Sequence, residues 1–492
     1  MPKVIVVGAG LGGLAAAIRL AAQGHTVHIF EAASSAGGKA GEVTIDGVSV
    51  DTGPSVLTMP EVLSELLAIG GWRLDEQLEL LEPEPAFRYL YPNGACLDMF
   101  PKLEQSIDSV QSVLGSDAKA EFVAFLKYAK TIWDLSTPQF IFGPAPTWTK
   151  MIQMGVQKLG VIHKVDPLRS MQKAISKQIK NKELQWLFWR YATYNGSDVR
   201  VAPATLNCIA HVELALGGYG IKGGIRALID CLVRLAKHLG VQMHFDSPVQ
   251  QLLINGRQVC GVRVGARSHQ CDVVVANADA AHVSKDLLPI KQSRFVRPPE
   301  PVSMSGWTGI FKGHHSSGIK RVAHTVLFPE DYESEFRDIF DGNKPPQEPT
   351  VYLCAQTQCH QREGWRDAEA VFTMINCPPE PINGTSKVDT WDSVKETVIG
   401  RLRQSGLMGA TDPLLWTRTP TELAQQFPGS RGASYGASSN TKSAAFTRPA
   451  NRINKLPGLY LASGSAHPGG GMPLAMLSGK AASEAVIHDY SA

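Results

Sequence analysis

The chain opens and closes on the same arrangement. VIVVGAGLGGLAAAIRL stands at Val4–Leu20. ASGSAHPGGGMPLAMLSGKAA stands at Ala462–Ala482, after the apolar run GLYL. Each is a short apolar stretch, a glycine-rich loop and a run of small and apolar residues. Val4–Val7 is β-branched, as a fully buried parallel strand should be. Gly8, Gly10 and Gly13 then fit G-x-G-x-x-G, with Gly12 inside the run. Gly8 permits the tight turn, Gly10 lets the backbone approach a pyrophosphate, and Gly13 lets a helix pack on the strand. A helix from about Gly12 to Gln23 points its N-terminal amides at the phosphates. A second strand, Thr26–Phe30, ends at Glu31, where a carboxylate reaches a ribose hydroxyl. Strand, loop, helix, strand and acid in register predict a dinucleotide-binding unit.

The closing segment supplies a strand at Gly458–Ala462, a loop at Ser463–Gly471 and a helix from about Met472 to Tyr490, again offering amides to a cofactor. Between the ends lie a hairpin at Glu42–Asp51 turning at Asp46-Gly47, a helix over Gly224–Leu239, a strand at Val241–Phe245, a hairpin around Asn255-Gly256, and a buried strand at Cys271–Ala276. These elements predict an α/β, Rossmann-type nucleotide domain in three pieces, 1–70, 220–285 and 450–492. A mixed substrate domain is inserted as 71–219 and 286–449.

The 492 residues are 43% hydrophobic and 19% charged, a globular composition long enough for several domain-sized units. A net charge of +3 gives no electrostatic case for nucleic acid. The eight cysteines are scattered without a C-x-x-C pair, which reads as reduced thiols in the cytoplasm. Metal-ligand spacings are lacking, so no metal is expected. No apolar run reaches the roughly 18 residues of a spanning helix.

With these stretches in hand, the chain resembles the phytoene-desaturase type of bacterial carotenoid desaturases, in GAGLGGLAAAIRL, GGKAG, DTGPS, YGIKGGIRALIDCL, ANAD and GLYLASGSAHPGGGMPLAMLSGKAA. The resemblance implies a glutathione-reductase-type FAD domain. It implies a loop at Gly37, Gly38 and Lys39 in contact with FAD, a turn at Gly53, Pro54 and Ser55 against it, and further contacts from Val249, Gly464, Gly471 and Met472. Three stretches, Leu187–Asp198, Ala323–Gln356 and Thr419–Gly436, are similar to the branch that desaturates 1-hydroxylated acyclic carotenoids. Many relatives carry an aromatic pair where this chain has Gly218-Tyr219, a difference that bears on pocket shape.

The implied reaction removes hydride from a C–C single bond to flavin N5 and then loses a proton, with oxygen or quinone as the final electron acceptor. A polyene delocalises the positive charge, so a strong general base is not required. The alternatives within the family are a phytoene- or neurosporene-type desaturase and a carotenoid cis-trans isomerase using reduced flavin; prenyl-carrying binding proteins and amine oxidases share the nucleotide fold. The residues singled out for catalysis are Arg190 and Glu213. Arg190, in the aromatic stretch Trp186–Tyr194, would line the pocket, bind a substrate hydroxyl or steady charge near the flavin; equally, it would simply stack on rings. Glu213 is placed like an acid of relatives, or forms a structural ion pair. His467 reads as a loop residue bonded to backbone.

The substrate is lipid-soluble, so a membrane contact is expected. Thr147–Lys182 carries eight basic residues against Asp166, with Leu168, Met171, Ile175 and Ile179 at helical spacing. Phe140, Phe142 and Trp148 lie just before or within it. Region 138–190 is therefore expected to be helical and to lie on anionic lipid, which would attach the protein peripherally to the cytoplasmic side of the inner membrane.

Overall fold

A computed structural model describes residues 1–145, 162–298, 300, 302–382, 384, 388–441 and 448–490. The first sheet has five strands in the spatial order Leu459–Leu461, Val273–Ala276, Lys3–Val7, Thr26–Phe30 and Gln242–His244. All neighbours are parallel. The sheet thus gathers strands from the two ends and the middle of the chain. Val4, Ile5, Val6, Val273, Val274 and Val275 have no exposed surface, because helices or a second sheet cover both faces. Burial of each such side chain contributes about 1.5–3 kcal/mol.

Helices Leu11–Ala22, Ile225–His238 and Met472–Tyr490 share one core with this sheet. The first and last of them cross closely at small residues. A Cβ on Gly479 would lie 2.4 Å from the Gly12 carbonyl oxygen and 2.9 Å from Ala15 Cβ. A three-stranded antiparallel sheet, Val249–Asn255, Gln258–Val264 and Arg267–Gln270, packs on the other face. Its first turn falls at the expected Asn255-Gly256, with Gly256 at φ +62°.

The second large sheet has seven strands, in the order Leu414–Arg418, Ser305–His314, Ala368–Cys377, Val351–Ala355, His324–Leu327, Phe87–Leu90 and Cys96–Met99. Its register sets which side chains face the nucleotide sheet. Thr308, Met374, Tyr352, Val326 and Tyr89 form one row across the sheet; Ile310, Phe372, Cys354, His324 and Phe87 form the next row on the same face. Residues one position along, such as Trp307, Phe311, Val351 and Leu353, point the other way. There they pack on Trp391, Val394, Val398 and Leu402 of helix Val388–Gln404.

Helices Ser116–Phe140, Met171–Gln178 and Lys182–Trp189 build a third layer on an aromatic core that includes Phe122, Phe125, Trp186 and Phe188. Here one expectation needs correction. Met171, Ile175 and Ile179 have no exposed surface and belong to this core. Their helical spacing reflects packing against the protein's own aromatics, not a face laid on lipid. Leu168, the fourth member of the stripe, lies outside the helix and is 76% exposed. Trp148, Lys150 and Lys158 lie outside the described residues. Among the described residues, no helix is long and apolar enough to cross a membrane.

Candidate active site

One cavity of about 1390 Å³ runs from the first glycine loop to the face of the seven-stranded sheet. Gly8, Gly10, Gly12, Glu31, Gly37, Gly38, Lys39, Gly53, Pro54, Ser55, Val249, Gly464, Gly471 and Met472 all line it. Gly13 lies behind the lining, where it keeps the helix against the turn: a Cβ there would sit 2.2 Å from the Gly8 carbonyl oxygen.

The glycine cradle fits a dinucleotide. Asn277, from the ANAD loop, packs under it. A Cβ on Gly10 would lie 2.6 Å from Asn277 Oδ1, and one on Gly12 would lie 2.3 Å from the Ala462 carbonyl oxygen. Asn277 Nδ2 donates to that same Ala462 carbonyl, so one amide ties the opening loop to the closing strand. The Glu31 carboxylate accepts the Ala9 and Ala33 N–H groups at 2.6 and 2.8 Å. This holds it at the end of its strand, in the cavity wall. Besides Arg190, four cations face the same cavity: Lys39, Arg226, Arg418 and Arg448. Burial pushes the Arg418 and Arg448 guanidinium groups down to about 10, which still leaves both charged at neutral pH. Lys39, Arg418 and Arg448 donate to backbone carbonyls, and Arg226 donates to the Ala36 carbonyl while pairing with Asp230 at 2.8 Å; such a set of cations suits an anionic pyrophosphate. Sequence reading identified only Lys39, because the three arginines follow no motif spacing.

The DTGPS turn has two roles. Asp51 faces away from the cavity. Its Oδ2 accepts the Ile225 N–H at 2.8 Å, at the start of helix Ile225–His238, and its Oδ1 accepts Arg362 Nη1 at 2.7 Å. Ser55 faces the cavity, 2.5 Å from the Tyr352 hydroxyl. Tyr352 continues to His324 Nδ1 at 2.8 Å, and His324 Nε2 lies 3.3 Å from Cys359 Sγ. His324, Cys354 and Cys359 bring donor atoms within 4.8 Å of one another, all buried. Dispersed in sequence, these thiols are neighbours in space, because His324 and Cys354 are direct cross-strand partners.

The two residues proposed for catalysis meet. Arg190 lines the cavity and Glu213 stands behind it, with 3.7 Å between Nη1 and Oε1. The guanidinium lies over the rings of Phe87, Tyr89 and Tyr194, 5.3, 5.6 and 4.9 Å from their centroids, and donates to the Tyr89 hydroxyl at 3.1 Å. Glu213 accepts the hydroxyls of Tyr191 and Tyr194. Burial, with the Glu213 charge adding to it, holds the Tyr191 phenol well above its ordinary range. Burial does the same for Tyr194, against the opposing pull of Arg190. Both phenols are neutral at physiological pH. The packing and ion-pair readings of Arg190 and Glu213 therefore describe their contacts.

His467 does what the sequence suggested: its Nε2–H donates to the Gly143 carbonyl at 2.9 Å. Gly218, at the departure from the aromatic pair, abuts the lining residue Val56; a Cβ there would meet Val56 Cγ1 at 2.8 Å.

The same fold occurs in solved structures of an oxidoreductase and an oxidase. An oxidoreductase from Methanosarcina mazei aligns with a TM-score of 0.65 at 18% identity, over 98% of this chain and 100% of that one. Cyclohexylamine oxidase from Brevibacterium oxydans aligns with a TM-score of 0.58 at 14% identity, over all of both chains. In sequence, the chain is 32% identical to the hydroxyneurosporene desaturase of Rubrivivax gelatinosus, over 99% of this chain and 93% of that protein. It is 33% identical to that of Rhodobacter capsulatus, over 99% and 98%. It is 28% identical to a 1-hydroxycarotenoid 3,4-desaturase of a Flavobacterium, over 98% of both. Residues 11–315 match the family described as flavin containing amine oxidoreductase, and the chain belongs to that family.

Proposed function

We propose that this protein is an FAD-dependent desaturase that converts a C–C single bond of an acyclic carotenoid into a double bond, acting on 1-hydroxylated carotenoids at the 3,4 position. One observation carries the reading: the dinucleotide cradle and the apolar face of the seven-stranded sheet line a single cavity. A polyene end can therefore reach the flavin while the rest of the molecule stays in an apolar enclosure. Relatives that match over nearly their whole length are named hydroxyneurosporene desaturase and 1-hydroxycarotenoid 3,4-desaturase, which supports the reading.

Bound FAD supplies the hydride acceptor. The chain's residues hold and shield the substrate. Val326, Phe372, Met374 and Tyr352 present a wall of mostly apolar side chains that excludes water from the reacting carbons. Arg190 keeps its charge in the wall, so it disfavours a cation next to it and leaves positive charge to spread along the polyene away from it. The neutral tyrosines around it offer no phenolate base, which suits a reaction that begins with hydride loss. The electron acceptor in this reading is oxygen or quinone.

Membrane attachment belongs to the same proposal, on a revised footing. Phe142 and Leu168 are exposed and adjoin the cavity-lining residues Phe140, Ile141, Val165 and Pro167. Lys164, Lys173, Lys177, Lys180 and Lys182 are exposed nearby in the chain. The support is thus a basic surface with single apolar side chains beside the cavity; in this reading that surface rests on the cytoplasmic side of the inner membrane.

The test is mass spectrometry of acyclic carotenoids, with and without a 1-hydroxyl, after incubation with FAD-loaded protein and liposomes. Loss of two hydrogens from the hydroxylated substrate is the expected result. An unchanged mass with altered retention would make the protein an isomerase, and no conversion of any carotenoid would sink the reading.

A further inference from the structure

The wall of the cavity carries two buried hydroxyls without a well-formed hydrogen bond. Tyr332 and Thr350 both line the cavity and their hydroxyls are shielded from solvent; Tyr332 OH has no partner, and Thr350 Oγ1 lies beside the Glu335 carboxylate without the geometry of a hydrogen bond. Such groups cost free energy to bury and call for a reason. They belong to one constellation. Tyr332 and Glu335 lie one turn apart on helix Tyr332–Phe336. The Glu335 carboxylate accepts the Thr350 N–H at 2.7 Å and Asn376 Nδ2 at 2.9 Å. Asn376 also lines the cavity, and with Nδ2 turned to Glu335 its Oδ1 is left as an acceptor. Both Glu335 oxygens are engaged, so the site offers neutral dipoles, two O–H donors and one C=O acceptor.

We infer that Tyr332, Thr350 and Asn376 form a subsite for a neutral hydroxyl on the end of the polyene. A hydroxyl both donates and accepts, and so satisfies Asn376 together with either orphaned O–H. This deepens the proposed function and rests on it. The subsite stands in the next row of the sheet from the Ser55 contact. Thr350 and Tyr352 are two residues apart on one face, a separation of about 7 Å along the strand. A 1-hydroxyl oxygen is three bonds from C3, a reach of about 4 Å with C–C bonds near 1.5 Å. A hydroxyl held at Thr350 thus keeps the 3,4 bond near the Tyr352–Ser55 row.

The test compares FAD-loaded wild type, Tyr332→Phe and Tyr332→Phe/Thr350→Val. The substrates are a 1-hydroxylated acyclic carotenoid and the same polyene without the hydroxyl. Two quantities are read for each: the ratio of kcat/KM values, and the ratio of dissociation constants from tryptophan fluorescence quenching. Wild type should favour the hydroxylated polyene. Each lost hydroxyl should cut that preference roughly 5–50-fold in both ratios, because a site built to bond a hydroxyl loses its discrimination with the donor. Tyr332→Phe removes a single oxygen, so flavin content and melting temperature should stay at wild-type values and certify folding. Preference that persists in well-folded variants, or a wild type that treats the two polyenes alike, overturns the subsite while leaving a desaturase. A wild type that converts neither overturns the functional reading itself.

Discussion

Arg190 and Glu213 form an ion pair at 3.7 Å between two nearly buried side chains, joined by Tyr89, Tyr191 and Tyr194 in a single polar knot at the cavity wall. Breaking such a pair from one side leaves a charge without compensation, which costs about 3–5 kcal/mol. Glu213→Ala should therefore lower the unfolding free energy by that order in urea denaturation. Glu213→Gln keeps an acceptor for the two tyrosines and should cost clearly less. Should Glu213→Ala unfold like wild type yet lose turnover, the acid would be acting in chemistry and not as the partner of Arg190.

The glycine cradle gives a sharper prediction. At Gly12 a methyl group would stand 2.3 Å from the Ala462 carbonyl and 2.9 Å from Asn277 Nδ2. Both neighbours belong to the contact between the opening loop and the closing strand, so neither can move freely. Gly12→Ala should purify with little or no flavin, read as flavin absorbance per protein. Glu31→Gln should retain the fold but bind FAD roughly 10–100-fold more weakly, since the lost charge also loosens the Ala9 and Ala33 amides it holds. Full flavin occupancy in Gly12→Ala would mean that the cradle is not where FAD sits.

The contrast between what could and could not be read in the sequence has a physical basis. The nucleotide sheet was legible because its central strands, Lys3–Val7, Thr26–Phe30 and Val273–Ala276, are short runs rich in β-branched residues and the first leads straight into the glycine loop; the separate hairpin Glu42–Asp51 likewise forms as its pattern predicts. The cationic ring of Arg226, Arg418 and Arg448 was not, because its members come from three distant segments and meet only through tertiary contact. Tyr332 and Thr350 lay unmarked in Ala323–Gln356 for the same reason: a missing hydrogen bond leaves no trace in spacing. The amphipathic stripe Met171–Ile175–Ile179 misled because helical periodicity reports only that a face is covered, and here the cover is protein.

His467 ties the closing glycine loop to Gly143 and fixes a pH dependence. Burial pushes its pKa down; the Gly143 carbonyl opposes this, and Arg448 adds to it. The folded protein thus binds fewer protons at this site than the unfolded chain. Its contribution is complete above the unfolded value of about 6.5 and is lost as pH falls through the depressed folded value. Melting temperature should decline below about pH 6.5, and His467→Gln, whose amide can still donate to Gly143, should flatten that decline. An identical slope in wild type and variant would assign the acid sensitivity to other groups.

The surface beside the cavity makes the last prediction. Exposed lysines at 164, 173, 177, 180 and 182 attract anionic lipid, each by about 1 kcal/mol near a charged surface and less as salt screens them. Leu168 and Phe142, 76% and 45% exposed, add insertion of apolar area. The protein should sediment with anionic vesicles at low salt and less so at high salt. Exchanging Lys173, Lys177 and Lys180 for glutamate should abolish sedimentation and its salt dependence together, because these side chains point away from the core that Met171 and Ile175 fill. Leu168→Asp should weaken binding at both salt concentrations by a similar factor, since the lost term is hydrophobic. If wild type fails to sediment at either salt concentration, the carotenoid must reach the cavity by some route other than this surface.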